Sequence, residues 1–256
     1  MDYYWVNENR TRKPFRYGDF NIGETLRDTE DARKEIADWI GTEKQRLNEK
    51  MAKECDTIVA GLYEYLAIYE PLFPKKTEFI PFPIVCDDDT PTIEFHKDGE
   101  PIKIFIGINK SRSAYKGTDI MLKAAKEVKS KYPDKLKLMV VESVPFDEYR
   151  KLMMSCDAIV DQLYSYTPSM NPLEAMSHGL ICIGGGEPEN YEVLNETELR
   201  PIVNVEPTFK SVYSQIENMV LHPENISTMQ RQSIEYIRKH HDYIKVAKQY
   251  EKLYMK

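Results

Sequence analysis

Residues 171–179, Asn-Pro-Leu-Glu-Ala-Met-Ser-His-Gly, form a short helical pattern with one carboxylate at its centre, Glu174. The loop Tyr166-Thr167-Pro168-Ser169-Met170 enters that helix, and an apolar run, Leu180 to Ile183, leaves it. The N–H groups of a first helical turn have no carbonyl partner within the helix, so the amides of Met170 and Asn171 are a ready anion site. Glu174, one turn further in, can accept hydrogen bonds from two vicinal hydroxyls such as a ribose diol. On spacing alone it reads equally well as a solvated helix residue. Gly179 suits the left-handed conformation that ends a helix. His178, beside that end, reads as structural before it reads as a site residue. Gly184, Gly185 and Gly186 follow the next strand and permit either close backbone approach to a ligand or a tight turn.

These groups need a scaffold, and the remaining sequence supplies one. From Ile102 onward, strand and helix patterns alternate. IKIFIGI is a continuous apolar run, as a fully buried parallel strand should be. The helix after Gly117 places Ile120, Ala124 and Val128 on one face. LKLMVVE (strand), FDEYRKLMMS (helix), AIVDQ (strand), NPLEAMSH (helix), LICIGG and PIVNV (strands) follow, then a helix from Thr208 to Leu221. This order predicts an α/β fold, a Rossmann-like doubly wound parallel sheet whose ligands lie outside the carboxyl ends of its strands.

Four segments follow from this pattern: a smaller partial α/β lobe over 1–83, a linker over 84–100, the Rossmann-like domain over 101–241 and a terminal helix over 242–256. The front lobe opens on an aromatic and basic stretch without a clear period. One long helix is expected from Thr29 to Glu54, with Ile36, Trp39, Ile40 and Leu47 on its apolar side. A strand, a helix carrying Tyr63, Leu66 and Ile68, and a second strand come next. The linker, with its prolines and the run Asp87-Asp88-Asp89, should lie on the surface and bury little. The last helix puts Tyr243, Ala247, Tyr250 and Tyr254 on one face, which should dock onto protein.

The chain has 256 residues and a net charge of −7, which argues against nucleic acid as a partner. Cys55, Cys86, Cys156 and Cys182 form no C-x-x-C pair, and the histidines show no metal-ligand spacing. The acidic run in the linker reads as solvated charge, so no metal site is expected. No stretch reaches the roughly 20 apolar residues of a membrane span. A cytoplasmic protein with at most peripheral membrane contact is expected.

The Glu174 stretch resembles the second half of the E-x7-E region of family 4 glycosyltransferases, which have the GT-B fold; the match runs from Leu173 to Gly179. In that family a Glu-Gly-Phe-Gly loop precedes it. Here Tyr166 stands where the first glutamate would contact the donor sugar, and Ser169 where the second glycine would be. Asp161-Gln162-Leu163 resembles a subgroup that also lacks the first glutamate. The segment from Phe105 to Ala125 resembles the family's Gly-Arg-Leu…Lys-Gly segment, whose cations grip the donor diphosphate. It implies Lys116 as the lysine and Arg112 as the arginine, with Lys110 a rival for the latter. Taken alone, the three are solvated loop charges. A weaker match over 142–160 implies that main chain near Val144 holds the nucleobase. The spacing from there to Glu174 suggests that one βα unit common in the family is absent. The resemblance also implies that the terminal helix over 242–256 packs back on the front lobe.

The resemblance implies a metal-independent, hexosyltransferase-like glycosyltransferase with no cofactor besides a nucleotide diphosphate sugar as donor substrate. Its acceptor would be a glycan or a lipid-linked sugar in polysaccharide biosynthesis. Glu174 would bind the ribose, Arg112 and Lys116 the diphosphate, and Met170 and Asn171 the phosphate or sugar; no catalytic residue can be assigned. The alternative is a non-catalytic nucleotide-sugar binder, or the donor-binding subunit of a two-chain transferase. A front lobe this small should leave the cleft open on one side, with Trp39 and the early tyrosines covered by self-association or a partner chain.

Overall fold

Aromatic packing organises the front of the chain. The structure, a computed structural model, describes residues 1–87, 89–109 and 113–255. Helix α1 (Tyr3–Thr11) starts where the Asp2 carboxylate accepts a 2.9 Å bond from the Trp5 amide. Its buried residues are Tyr4, Val6, Glu8 and Asn9, a mixture of polar and aromatic that hides the helical period. Tyr4 packs edge-on against Tyr69 and Phe73, so the early tyrosines are covered largely by their own lobe rather than by a partner. A two-stranded hairpin, β1 (Asn21–Ile22) and β2 (Thr25–Leu26), comes next.

The expected long helix is two helices, α2 (Glu30–Trp39) and α3 (Glu43–Glu54). Gly41 lies between them at φ +74°, a left-handed conformation that cannot continue a helix. Ile36, Trp39 and Ile40 pack on Val6, Phe20 and Ala32, whereas Leu47 beyond the break is exposed. Strand β3 (Ile58–Ala60), helix α4 (Tyr63–Tyr69) and strand β4 (Thr77–Phe79) then form a parallel βαβ unit, with Ile58 opposite Thr77.

Most of the described residues over 84–100 are exposed, as expected of a surface segment, yet four of them are anchored in the domain. Ile84, Cys86, Ile93 and His96 are all buried. The two-residue spacing of Ile84 and Cys86 is that of extended chain with one face inward. The Ile84 amide donates to the His241 carbonyl at 2.7 Å, and the Ile93 amide to the His178 carbonyl at 2.9 Å. The prolines make this segment an extended strap across the domain.

Behind it lie β5 (Ile102–Ile108), α5 (Ser113–Lys116), α6 (Thr118–Lys131), β6 (Leu136–Glu142), α7 (Phe146–Met153), β7 (Ala158–Val160), α8 (Met170–Ser177) and β8 (Ile181–Gly184). Then come α9 (Pro188–Val193), β9 (Val203–Asn204), α10 (Phe209–Leu221), α11 (Ile226–His240) and α12 (Tyr243–Tyr254). The five strands are parallel in the order β6-β5-β7-β8-β9. Ile104, Ile106 and Val160 face α6 and α10 on one side; Phe105, Ile159 and Cys182 face α7, α8 and α11 on the other. Burial on both faces is why the strands read as continuous apolar runs. The chain steps from β5 outward to β6, then returns past β5 to β7, so β5 and β7 flank the topological switch point. No helix among the described residues is long and apolar enough to cross a membrane.

Of α12 only Val246 is buried, and Tyr243, Ala247 and Tyr254 are exposed. The aromatic face is therefore not docked onto the front lobe. The anchor of α12 is its first residue, whose amide donates to the Ile84 carbonyl at 3.1 Å.

Just before α12, the His241 ring is buried, with Nδ1 3.0 Å from the Phe82 carbonyl. Burial lowers its pKa to about 4. The folded chain keeps this imidazole neutral, while the unfolded chain protonates it below about pH 6.5. Its contribution to stability is complete above pH 6.5 and is lost as the pH falls towards 4, by about 3 kcal/mol. The stability gap between wild type and His241→Asn should narrow by that order between pH 7 and pH 4.5 in urea titrations. A gap independent of pH would refute this.

Candidate functional site

Lys116 ends α5, and its carbonyl accepts the Leu163 amide at 2.8 Å. Its side chain lines a cleft of about 420 Å³ at the carboxyl ends of β5, β6 and β7, together with Gly107, Val144, Tyr149, Asp161 and Asn171. This is the switch point, where an open parallel sheet binds its ligands. Asp161, the residue after β7, accepts the Ser169 amide at 3.2 Å and the Ser169 hydroxyl at 2.9 Å. Burial raises the Asp161 pKa, opposed by the Ser169 hydrogen bonds and by the charge of Lys116. Because Ser169 turns to Asp161, it does not cap α8 with its own hydroxyl. The first amides of α8, those of Met170 and Asn171, are left without an intrahelical acceptor. The Asn171 side chain donates to the Tyr149 hydroxyl at 2.9 Å, and Tyr149 stands edge-on against Phe105.

Glu174 lies one turn further along α8 and faces a second recess, of about 700 Å³, between α7, α8 and the strap. Its Oε1 is 3.7 Å from Arg150 Nε, and both side chains are partly exposed. Met170, Phe146 and His178 line the same recess, and Asn171 lines both cavities. Glu174 therefore sits beside the switch-point cleft rather than in it. His178 is buried, with Nδ1 2.5 Å from the Pro91 carbonyl and Nε2 3.4 Å from Arg150, so it ties the strap to α7. Asp87 and Asp89 line the recess, and Asp87 accepts the Thr90 hydroxyl at 3.1 Å. Among the described residues no cluster of metal-ligating side chains occurs.

Tyr166 is not at the site. It is buried in an aromatic cluster with Phe15, Tyr17 and Tyr63, and its hydroxyl accepts the Arg16 amide at 2.8 Å. The front lobe claims this ring. The middle glycine of the run is explained by the same loop, since a Cβ on Gly185 would lie 2.3 Å from the Ser165 carbonyl oxygen, while one on Gly186 would lie 2.7 Å from Ile202. Close packing of β8 against residues 165–166 is the role of Gly185. Arg112 and its rival Lys110 lie outside the described residues.

Three residues were not anticipated as partners of the site. Asp161 and Tyr149 shape the cleft, and Glu64 of α4 holds the loop that enters α8. The Glu64 carboxylate accepts the Tyr166 amide at 2.8 Å, the Thr167 amide at 3.1 Å and the Ser165 hydroxyl at 3.0 Å. Only the place of Asp161 directly after a buried strand was a usable signal for any of them.

No protein-family model matches the chain, and no curated protein matches it. Solved structures do. A point mutant of S. aureus TarM superposes with a TM-score of 0.59 at 12% identity, over 83% of this chain and 46% of that one. Anabaena HepE in complex with UDP-glucose gives 0.60 at 13% identity, over 83% of this chain and 68% of HepE. The fold is GT-B. Sucrose-phosphate synthase from Thermosynechococcus elongatus is also similar, with a TM-score of 0.55 at 12% identity over 84% of this chain and 63% of the synthase. This GT-B chain thus spans about half of TarM and about two thirds of the other two.

Proposed function

We propose that the chain is a nucleotide-sugar-dependent glycosyltransferase similar to family 4. One observation supports the reading: Lys116 and Asn171, the latter in the first turn of α8, whose cap residue makes no side-chain hydrogen bond, both line the switch-point cleft of a GT-B fold. A transferase must stabilise the charge that develops on a leaving nucleoside diphosphate, and fixed cations and amides do so without reorganising. In this reading Lys116 and the amides of Met170 and Asn171 meet the diphosphate. The base lies against main chain near Val144, and the ribose reaches Glu174 past the Asn171 wall. Arg112 would add a second cation. UDP-glucose, the ligand in the HepE structure, is the first donor to test. The acceptor is a glycan or lipid-linked sugar in polysaccharide biosynthesis, and the transfer proceeds without a metal or other cofactor. The exposed aromatic face of α12 favours a second reading, in which the chain is the donor-binding subunit of a larger assembly.

A thermal-shift screen with UDP-, GDP-, ADP- and CDP-sugars tests the donor site, because a ligand that binds only the folded state raises its melting point. Release of the nucleoside diphosphate only when an acceptor is present identifies the transferase; binding without turnover identifies the subunit. No shift with any donor refutes both. Glu174→Ala should weaken nucleotide binding by about 1.5 kcal/mol, the low end for a hydrogen bond to a charged group, because Glu174 is partly exposed and shared with Arg150. An unchanged dissociation constant removes Glu174 from the ribose site.

A further inference from the structure

Arg27, immediately after β2, reaches from the front lobe to the single turn of α5. Its Nη2 donates to the Ala114 carbonyl at 2.9 Å and to the Tyr115 carbonyl at 3.3 Å, while Nη1 donates to the Gly18 carbonyl at 3.0 Å. Its guanidinium carbon lies 3.4 Å from the centroid of the Tyr164 ring. The last carbonyls of a helical turn have no amide ahead of them within the helix. Gly117, at φ +71°, stops α5 and opens α6, so those carbonyls need an outside donor. The guanidinium supplies it.

The residue after those two carbonyls is Lys116. Its own carbonyl is held by Leu163, next to Tyr164. Two restraints therefore fix the backbone that aims Lys116 into the cleft: Leu163 from the loop after β7, and Arg27 from the hairpin. We propose that Arg27 is a positioning residue for Lys116, through which the front lobe takes part in diphosphate binding without touching the ligand. A planar fork is needed, because one group must reach carbonyls in two lobes while lying flat on an aromatic ring; a lysine carries its donors on a single nitrogen and has no plane to stack. The inference rests on the diphosphate reading of the switch-point cleft.

The test is calorimetric titration of UDP and of uridine into wild type, Arg27→Lys and Tyr164→Leu, with GDP, ADP or CDP and the matching nucleoside if the screen selects another base. Arg27→Lys should lose about tenfold in diphosphate affinity and keep its nucleoside affinity. Amide exchange at Leu163 should also quicken. Diphosphate affinity equal to that of wild type overturns the proposal, and so does an equal loss for diphosphate and nucleoside. If Arg27→Lys does not fold, Tyr164→Leu must show the same selective loss, and its absence overturns the proposal. A wild type that binds no nucleoside diphosphate defeats the reading of the cleft and the inference with it. That result differs from a wild type that binds and variants that bind equally well.

Discussion

Replacing Glu64 by alanine is expected to lower the unfolding free energy by about 3–5 kcal/mol, the cost of leaving several buried donors without their acceptor. The carboxylate is buried in α4 and gathers two backbone amides and two hydroxyls of residues 165–167. Those amides belong to a loop without a ladder of its own. Without Glu64 they stay buried and lose their acceptor, at about 1–3 kcal/mol each. Glu64→Gln keeps one carbonyl oxygen but turns an NH₂ towards donors, so it should recover only part of the loss. Urea denaturation of the three proteins measures this directly. A loss below about 1 kcal/mol for the alanine variant would mean that the loop finds other acceptors and that the front lobe does not hold it. The same loop delivers the amino end of α8, so the variant should also bind nucleoside diphosphate less tightly.

Lys116→Ala should weaken nucleoside diphosphate binding by about a hundredfold, near the upper end of what a charge-assisted hydrogen bond contributes. Nucleoside binding should change little, because in the proposed site the ammonium meets only the phosphates. Lys116 lines the cleft with the buried carboxylate of Asp161, so its removal leaves that negative charge facing an anionic ligand. Titration of nucleoside and nucleoside diphosphate into both proteins decides the matter. Equal losses for the two ligands would indicate a folding defect; unchanged diphosphate affinity would remove Lys116 from the site. Arg112→Ala should show the same selective loss.

The parallel sheet was legible in the sequence because its strands are buried on both faces. A run such as Ile102 to Ile108 then announces itself without help from distant residues. The helix carrying Glu174 and its end at Gly179, now at φ +99°, were legible for the same reason: caps and periodicity are local. The break at Gly41 was also local, but the charged pattern on both sides of it masked the boundary. The four inward anchors of the strap were missed because prolines and acids dominate its composition, while its inward residues are few and spaced for extended chain.

Which side chains face a ligand and which face protein was decided only by the tertiary structure. Tyr166 aligns with a sugar-binding position, yet it packs against rings about 100 or more residues earlier in the chain, and Glu64 binds its loop across a separation of 102 residues. The front lobe contributes Glu64 and Arg27 to the loops around the cleft, although nothing periodic in residues 1–83 marks either of them. Such contacts are single hydrogen bonds and ring faces between distant segments. Their partners are chosen by the docking of two lobes, and docking leaves no repeat in a sequence. By itself, therefore, the sequence determined the sheet, its helices and the end of the sheet at which a ligand would bind. The packing of the front lobe decided which residues remain free to meet that ligand, because a side chain consumed by an inter-lobe contact can no longer bind anything else.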